Sequence, residues 1–263
     1  MSRILNKIQV NIPFTMLYES YLPQFLEHGL NPEIGFDADA LDRFSMKEFE
    51  DVAKQIQEKG LSTTLHAPYL DLSPGSLDSE VRSVTRRRFQ QVLALVPIFQ
   101  PQTVVCHTGY DHQRYWGLKD AWIKKSLRIW VWLSEEIEKQ GSLLMLENVY
   151  EQSPQEFLDL YERLSDQHVG FCLDTGHMAA FSNVDLPTWL QGLGEHIQQL
   201  HLHDNLGNQD DHMALGKGQI DFKLLFEYLK GRKADDPPIV TIEPHREEDL
   251  WPSLEYLEKF WPW

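Results

Sequence analysis

The sequence predicts a (β/α)₈ barrel, a closed ring of eight parallel strands with helices outside it. Apolar runs typical of buried strands alternate along the 263-residue chain with longer segments of helical spacing, which favours a parallel sheet. Six of these runs end in a metal-binding side chain, and a barrel brings all its strand ends to one face. One such barrel takes roughly 250 residues, so a single domain over 1–263 is predicted.

The predicted strands follow the apolar runs in chain order. They lie near 5–10, 31–36, 61–66, 102–107, 142–147, 169–174, 197–203 and 238–243. The competing fold is a doubly wound open sheet, which carries a glycine-rich dinucleotide fingerprint after its first strand. Asn11-Ile12-Pro13-Phe14 stands there instead. This sequence, together with six ligand-bearing strand ends, favours the closed ring.

The helices are predicted from capping signals and periodicity. Ser45 and Glu48 form a capping-box pattern that opens a helix ending at Gly60. Apolar residues recur at helical spacing over 78–99, 119–140 and 250–260. Four tryptophans are expected to pack the fourth helix or its loop: Trp116, Trp122, Trp130 and Trp132.

The net charge of −16 weighs against a nucleic-acid backbone as the main partner, because proteins that bind it usually show a basic face. Arg86-Arg87-Arg88 lies in a predicted helix and is interpreted as a solvated helix surface. Bound divalent cations would add positive charge locally, so DNA is disfavoured as a partner without being excluded.

Cysteine usage and hydropathy predict a cytoplasmic protein. Cys106 and Cys172 lie in predicted buried strands and are expected to be reduced core thiols. The start, Met1-Ser2-Arg3-Ile4, lacks an apolar signal region, and no apolar run approaches the ~20 residues of a membrane span. No membrane partner is therefore expected, while a homo-oligomer is compatible with an exposed aromatic surface.

Metal-binding side chains follow six predicted strands. They are His66 after strand three, His107 after strand four, Glu147 after strand five, Asp174 and His177 after strand six, His201 and His203 at strand seven, Asp210 and His212 in the next loop, and Glu243 and His245 at strand eight. Imidazole and carboxylate together suit zinc, manganese or iron(II). His201 and His203 are two residues apart, so both can face the barrel interior while Leu200 and Leu202 face the helices.

Two chemistries fit these residues. A bridging carboxylate can hold two cations for multi-metal hydrolysis. Glu147 and Glu243 can instead face each other across a sugar as an acid/base pair. His203 and His245 are expected either to contact substrate or to orient ligands. The remaining histidines lie in helix or loop settings and are not expected to bind metal: His28, His112, His168 and His196.

Three nearby features have more than one interpretation. Asp204 either caps the strand-seven loop or orients a ligand histidine. Gly216-Lys217-Gly218 is either a phosphate-handling turn or a tight loop. Tyr69 and Leu70 follow a ligand histidine, and in a barrel they would be exposed on the active-site face.

Five motifs resemble the xylose isomerase-like TIM-barrel superfamily, which includes endonuclease IV and many sugar-phosphate isomerases and epimerases. They are His-Ala-Pro-Tyr from 66, Leu-Glu-Asn from 146, Leu-Asp-Thr-Gly-His from 173, His-Leu-His-Asp from 201, and Asp-Asp-His from 210 with the following Leu-Gly-Lys-Gly. The resemblance to endonuclease IV implies three zinc ions on nine residues: His66, His107, Glu147, Asp174, His177, His201, Asp210, His212 and Glu243. Tyr69-Leu70 is similar to the pair that this endonuclease pushes into the DNA stack.

Some positions depart from the endonuclease pattern. The stretch 33–39 is acidic where an arginine-bearing wedge is expected, and the loop from His201 to Asp210 is shorter. His203 stands where the endonuclease has Asn. The resemblance to ketose epimerases implies one metal held by four residues: Glu147, Asp174, His201 and Glu243. The two glutamates would then move the proton beside a carbonyl and His177 would touch substrate, although the arginine of those epimerases is replaced by Leu206-Gly207-Asn208.

These departures favour a divalent-metal-dependent isomerase or epimerase acting on a small sugar or sugar phosphate. Glu147 and Glu243 are its expected catalytic pair, with one zinc or manganese ion. Substrate contacts are expected from His177, His203, Tyr69, Lys217 and His245. The alternative is an endonuclease IV-like phosphodiesterase with up to three zinc ions, acting on abasic DNA or another phosphoester.

Overall fold

The computed structural model describes residues 3–232 and 237–263, and its strands form a closed, eight-stranded parallel barrel. Each strand pairs with the next along the chain, and the eighth pairs with the first. The strands are β1 (Ile8–Pro13), β2 (Asn31–Gly35), β3 (Thr64–His66), β4 (Thr103–His107), β5 (Leu143–Glu147), β6 (Val169–Asp174), β7 (Ile197–Leu202) and β8 (Ile239–Ile242). The predicted (β/α)₈ barrel is confirmed. Met1 and Ser2, which are part of the segment predicted to lack a signal region, lie outside the described residues.

The first predicted strand was placed too early. Leu5–Lys7 form a 3₁₀ turn, and β1 runs from Ile8 to Pro13 rather than over 5–10. Ile4 and Leu5 are nevertheless buried. The apolar run therefore begins before the strand, because packing against the core buries its first residues without strand pairing.

Helices cover the outside of the barrel. They are α1 (Phe14–Met16), a π-helical segment (Leu17–Tyr21), α2 (Leu22–His28), α3 (Ala38–Arg43), α4 (Met46–Glu58), α5 (Ser79–Phe99), α6 (Lys119–Glu138), α7 (Pro154–Tyr161), α8 (Thr175–Phe181), α9 (Leu186–Leu193), α10 (Phe222–Gly231) and α11 (Glu247–Phe260). The capping box before α4 is confirmed, with Ser45 accepting from the Glu48 amide and Glu48 from the Ser45 amide. In the described parts of the chain, none of these helices has the length and apolar character needed to cross a membrane.

The helix-facing and interior sides of the strands differ in character. Leu65, Leu146 and Leu200 pack with the helices in the main hydrophobic core. Inside the barrel, Val105, Met145 and Cys172 form a small apolar cluster. Glu33 accepts hydrogen bonds there from side chains of four other strands. The barrel interior therefore holds a polar layer. Both cysteines are buried and free, as predicted.

Three of the four tryptophans pack as expected around α6. Trp122 and Trp130 are fully buried, and Trp132 is covered by the Arg86 guanidinium, 3.8 Å from its ring centre. Trp116 is 79% exposed, so its predicted packing role is wrong. It lies in the loop that links β4 to α6, outside the helix that packs on the barrel.

Candidate metal centre

The predicted ligands lie at one rim of the barrel because the strands are parallel and closely in register. His107 lies beside Glu147 in the β4–β5 ladder, and Asp174 lies beside His201 in the β6–β7 ladder. His66 ends β3, and Glu243 directly follows Ile242 of β8 and so reaches the same rim. The carboxyl ends of parallel strands meet on this face of a barrel.

The first group of donors consists of His66, His107 and Glu147. Oε2 of Glu147 lies 3.0 Å from Nε2 of His66 and 3.4 Å from Nε2 of His107. Zinc bonds of about 2.0–2.1 Å in a tetrahedral arrangement separate neighbouring ligand atoms by about 3.3 Å. The three donors therefore have the spacing of ligands around one cation.

The second group is centred on Nδ1 of His201. This atom lies 3.4 Å from Oε1 of Glu147, 3.1 Å from Oε1 of Glu243 and 3.9 Å from Oδ2 of Asp174. Glu147 therefore directs one oxygen to each of the first two groups. A carboxylate placed in this way can bridge two cations.

The third group is centred on Asp210. Its Oδ2 lies 3.4 Å from Nε2 of His177 and 3.2 Å from Nε2 of His212. All nine residues implied by the endonuclease resemblance thus fall into three adjoining groups with ligand-like spacing.

Hydrogen bonding of the histidines tests whether these groups fit a metal. Nδ1 of His66, His177 and His212 lies 2.9, 3.0 and 3.2 Å from a backbone carbonyl oxygen, respectively. A carbonyl only accepts, so each Nδ1 carries a proton and Nε2 is the nitrogen directed at a carboxylate. Either a second proton on Nε2 or a cation must then lie between Nε2 and the carboxylate. A fixed outer proton of this kind is the usual arrangement of metal-ligating histidine.

Unpartnered buried atoms support the same conclusion. Both ring nitrogens of His201, Nδ1 of His203 and Oδ1 of Asp210 have no hydrogen-bond partner among the described residues. Buried polar atoms without partners are rare in native proteins and call for an explanation such as an ion. The donor set therefore fits divalent cations of the zinc or manganese type.

Opposite charges offset burial in the cluster. Burial raises the pKa of Glu147, but His107 and His201 outweigh it and hold that pKa well below its usual value. Burial lowers the pKa of His177, but Asp174 and Asp210 raise it well above the usual value. Protons on histidines thus balance the carboxylates when no cation does, and metal binding must displace them.

Comparison with known proteins is consistent with this centre. Residues 32–260 match the xylose isomerase-like TIM barrel family. The chain belongs to that family. It is 27% identical over 212 residues to a probable endonuclease 4 of Mycobacterium ulcerans, covering 75% of this chain and 80% of that protein.

Two solved structures share the fold of this chain. A D-tagatose 3-epimerase-like protein superimposes with a TM-score of 0.78 at 22% identity, over 97% of this chain and 96% of that one. The TTHB071 protein of Thermus thermophilus, soaked with ZnCl₂, has a TM-score of 0.77 at 25% identity, over 97% and 98% of the two chains. The chain is therefore similar in sequence to a probable endonuclease and in fold to an epimerase-like protein.

Glu33 is a residue of the centre that sequence reasoning missed. It is fully buried on β2, and its Oε1 lies 2.9 Å from Nε2 of His201. The stretch 33–39 was interpreted only as lacking an arginine. The available signal was a carboxylate inside a buried strand, which needs a partner. Because Glu33 lies beside Nε2 of His201, Nδ1 is the nitrogen of that ring that remains for the metal.

Asp204 holds the loop after β7, which agrees with the first of its two predicted roles. Its carboxylate accepts the backbone N–H groups of Gly216, Gly218 and Ile220. These amides are therefore engaged, so Gly216-Lys217-Gly218 is a tight loop rather than a phosphate-handling turn. Lys217 is exposed, and no ion pair links it to the described residues.

Residues at the mouth of the centre are aromatic or histidine. Tyr69 and Leu70 are exposed, as predicted, and the Tyr69 ring stacks on His107 at 4.2 Å. His245 is exposed and stacks on His212 at 3.5 Å. Among the described residues, the four histidines not expected to bind metal lie outside every candidate group.

Glu151 should make stability depend on pH. Burial raises the pKa of this carboxyl to about 7, so the folded state holds its proton more tightly than the unfolded chain. Its contribution is complete below pH 4.5 and falls as pH rises towards 7 and above. Between pH 5 and 8 we expect wild type to lose about 2 to 3 kcal/mol relative to Glu151→Gln, measured by urea unfolding. An identical pH dependence in both proteins would contradict this role.

Proposed function

We propose that this chain is a multi-metal hydrolase that cleaves a phosphoester. The supporting observation is the position of Glu147, whose two oxygens face separate histidine groups at 3.0–3.4 Å. Asp210 gathers a third group beside them. Bound cations in such an array polarise a phosphoryl oxygen, activate water and stabilise the leaving oxygen.

The histidines favour hydrolysis over the isomerase or epimerase reaction that the sequence suggested first. A single metal on Glu147, Asp174, His201 and Glu243 would leave His66 and His212 for substrate. In each of these histidines the proton is fixed on Nδ1 by a carbonyl, and Nε2 faces a carboxylate. Their hydrogen-bonding capacity is thus directed into the cluster rather than towards a sugar. The similarity to a probable endonuclease 4 supports the same choice.

A metal-dependent sugar or sugar-phosphate epimerase is the second candidate. Burial raises the pKa of Glu243 above its usual value, whereas the pKa of Glu147 is lowered, and both contact the same histidine, His201. Two carboxyl groups with opposite shifts suit an acid and a base. In this reaction Glu147 would accept the proton beside the carbonyl and Glu243 would return one.

The substrate of the proposed hydrolase carries a phosphodiester beside an aromatic or sugar group. The Tyr69 ring is 49% exposed above His107 and offers a stacking surface for a nucleobase or a sugar face. The net charge of −16 disfavours long contact with a duplex backbone. A small phosphodiester or a single displaced nucleotide is therefore the proposed substrate, with abasic DNA as the nucleic-acid form to test.

His107→Asn separates the two candidates. In the hydrolase it should lower zinc content by one ion and reduce hydrolysis of bis(p-nitrophenyl) phosphate by more than about 100-fold. This loss exceeds the loss of activity expected when a residue that only hydrogen-bonds to a metal ligand is removed. His168→Asn is the control, because His168 is exposed and pairs with Glu138 on the surface, away from the metal centre. The measurements are elemental analysis and initial rates.

The opposite outcome is equally definite. The hydrolase would be wrong if wild type held one ion per chain and His107→Asn still exchanged solvent deuterium into a ketose. That result would favour the epimerase. Hydrolysis of an abasic duplex as well as the small diester would identify nucleic acid as a substrate.

A further inference from the structure

We infer that His203 is a fourth ligand of the third metal position, together with His177, Asp210 and His212. This inference rests on the proposed function, since it assumes that the third group holds a cation. His203 stands where the resembling endonuclease pattern has Asn, so the inference concerns a property of this chain.

The hydrogen bond of His203 leaves only one tautomer. Its Nε2 lies 3.1 and 3.2 Å from the two carboxylate oxygens of Asp174. A carboxylate accepts, so Nε2 carries a proton and Nδ1 is the ring nitrogen left for a cation. The carboxylate behind the ring is the outer partner that ligand histidines usually have.

Nδ1 of His203 faces a carboxylate oxygen of Asp210. Nδ1 lies 3.6 Å from Oδ1 of Asp210, and both atoms are buried without a hydrogen-bond partner among the described residues. At 3.6 Å the two atoms are too far apart for a direct hydrogen bond. A cation placed between them satisfies both, and His203, Asp210 and His212 lie within ligand range of one another.

The surroundings hold the ring in this position. His203 stacks on His212 at 3.7 Å with the planes 5° apart. On its other side, a Cβ added at Gly176 would lie 1.8 Å from Cε1 of His203. The ring of His203 therefore occupies space that is free only because residue 176 is glycine. The residue is 1% exposed, so the ring is held in place by its neighbours.

Four protein ligands would close the third position. Closed, four-coordinate zinc is typical of structural sites, whereas a catalytic site keeps a position open for water or substrate. The third cation would then be retained tightly, and the reacting groups would bind at the first two groups, which include His107 and the mouth residue Tyr69.

The test compares His203→Asn with the matched control His245→Asn. His245 belongs to the same stack, on the far side of His212, and forms no ion pair among the described residues. We expect wild type and His245→Asn to hold three zinc ions. His203→Asn should hold two, or release the third to 4-(2-pyridylazo)resorcinol at least about 10-fold faster.

Each outcome has a distinct meaning. Three ions with wild-type release in His203→Asn would overturn the inference and leave the hydrolase intact, whereas one ion in wild type would overturn both. Should His203→Asn fail to fold, a crystal structure of zinc-loaded wild type decides. Nδ1 of His203 at about 2.0–2.1 Å from zinc supports the inference, and a distance beyond hydrogen-bond range overturns it.

Discussion

Glu147→Gln is expected to remove two of three cations and to abolish hydrolysis. The carboxylate of Glu147 serves the first group through Oε2 and the second through Oε1. The amide of Gln keeps one oxygen, carries no charge and turns an N–H₂ group towards one set of histidines. Elemental analysis should therefore show about one ion per chain, with activity reduced by more than about 1,000-fold.

Glu151→Gln is the matched control for this substitution. Glu151 is also buried and follows the same strand, but it accepts from Thr108 and from the Val149 amide rather than from the histidines. It should keep three ions. If Glu147→Gln also kept three ions, or lost only one of the three, the bridging role would be wrong.

The sequence predicted the strand-end ligands because each of them is a local signal. His66, His107 and Glu147 each follow a short apolar run, and in a parallel barrel every such position reaches the same rim. The β1 bounds were wrong because burial of an apolar side chain does not reveal whether a strand or a turn buries it. The prediction for Trp116 was wrong because this large side chain stays exposed in its loop. The β1 error concerns the end of the strand far from the rim, whereas Trp116 lies in the loop that follows β4 at the rim.

Glu33 and His203 needed the three-dimensional structure. Glu33 meets His201 across the barrel, over a separation of 168 positions that no local pattern encodes. The tautomer of His203 depends on Asp174, which lies on a different strand. The contacts that decide which histidine nitrogen carries the proton are thus tertiary. The position of the ligand, by contrast, can be predicted from the strand that precedes it.

The network inside the barrel explains why the ligand layer can be charged and buried. Glu33 accepts from Thr64 at 2.8 Å, from Gln199 at 2.7 Å and from Thr241 at 3.1 Å. These donors stabilise an ionised carboxylate under His201. Burial raises the pKa of Glu33, but His201 outweighs it and keeps that pKa below its usual value. The interior thus fixes His201 before any cation binds.

Glu33→Gln is expected to weaken the second metal position by about 10- to 100-fold, the usual cost of removing the outer partner of a ligand histidine. The amide cannot accept at both positions. If its oxygen stays beside His201, its N–H₂ group faces the amide N–H₂ of Gln199. If it turns, His201 loses its acceptor. Unfolding free energy should fall on the order of 3 kcal/mol, because a buried ionic contact loses one partner.

Thr241→Val provides the matched control, since it removes one hydroxyl donor to Glu33 and leaves the carboxylate beside His201. Its cost should be about 1–2 kcal/mol, with zinc affinity unchanged. Competition with a chromogenic chelator gives affinity, and urea unfolding gives stability. Wild-type zinc affinity in Glu33→Gln would show that His201 needs no outer carboxylate. In that case its orientation would come from Glu147 and Glu243 alone, and the barrel interior would be important only for stability.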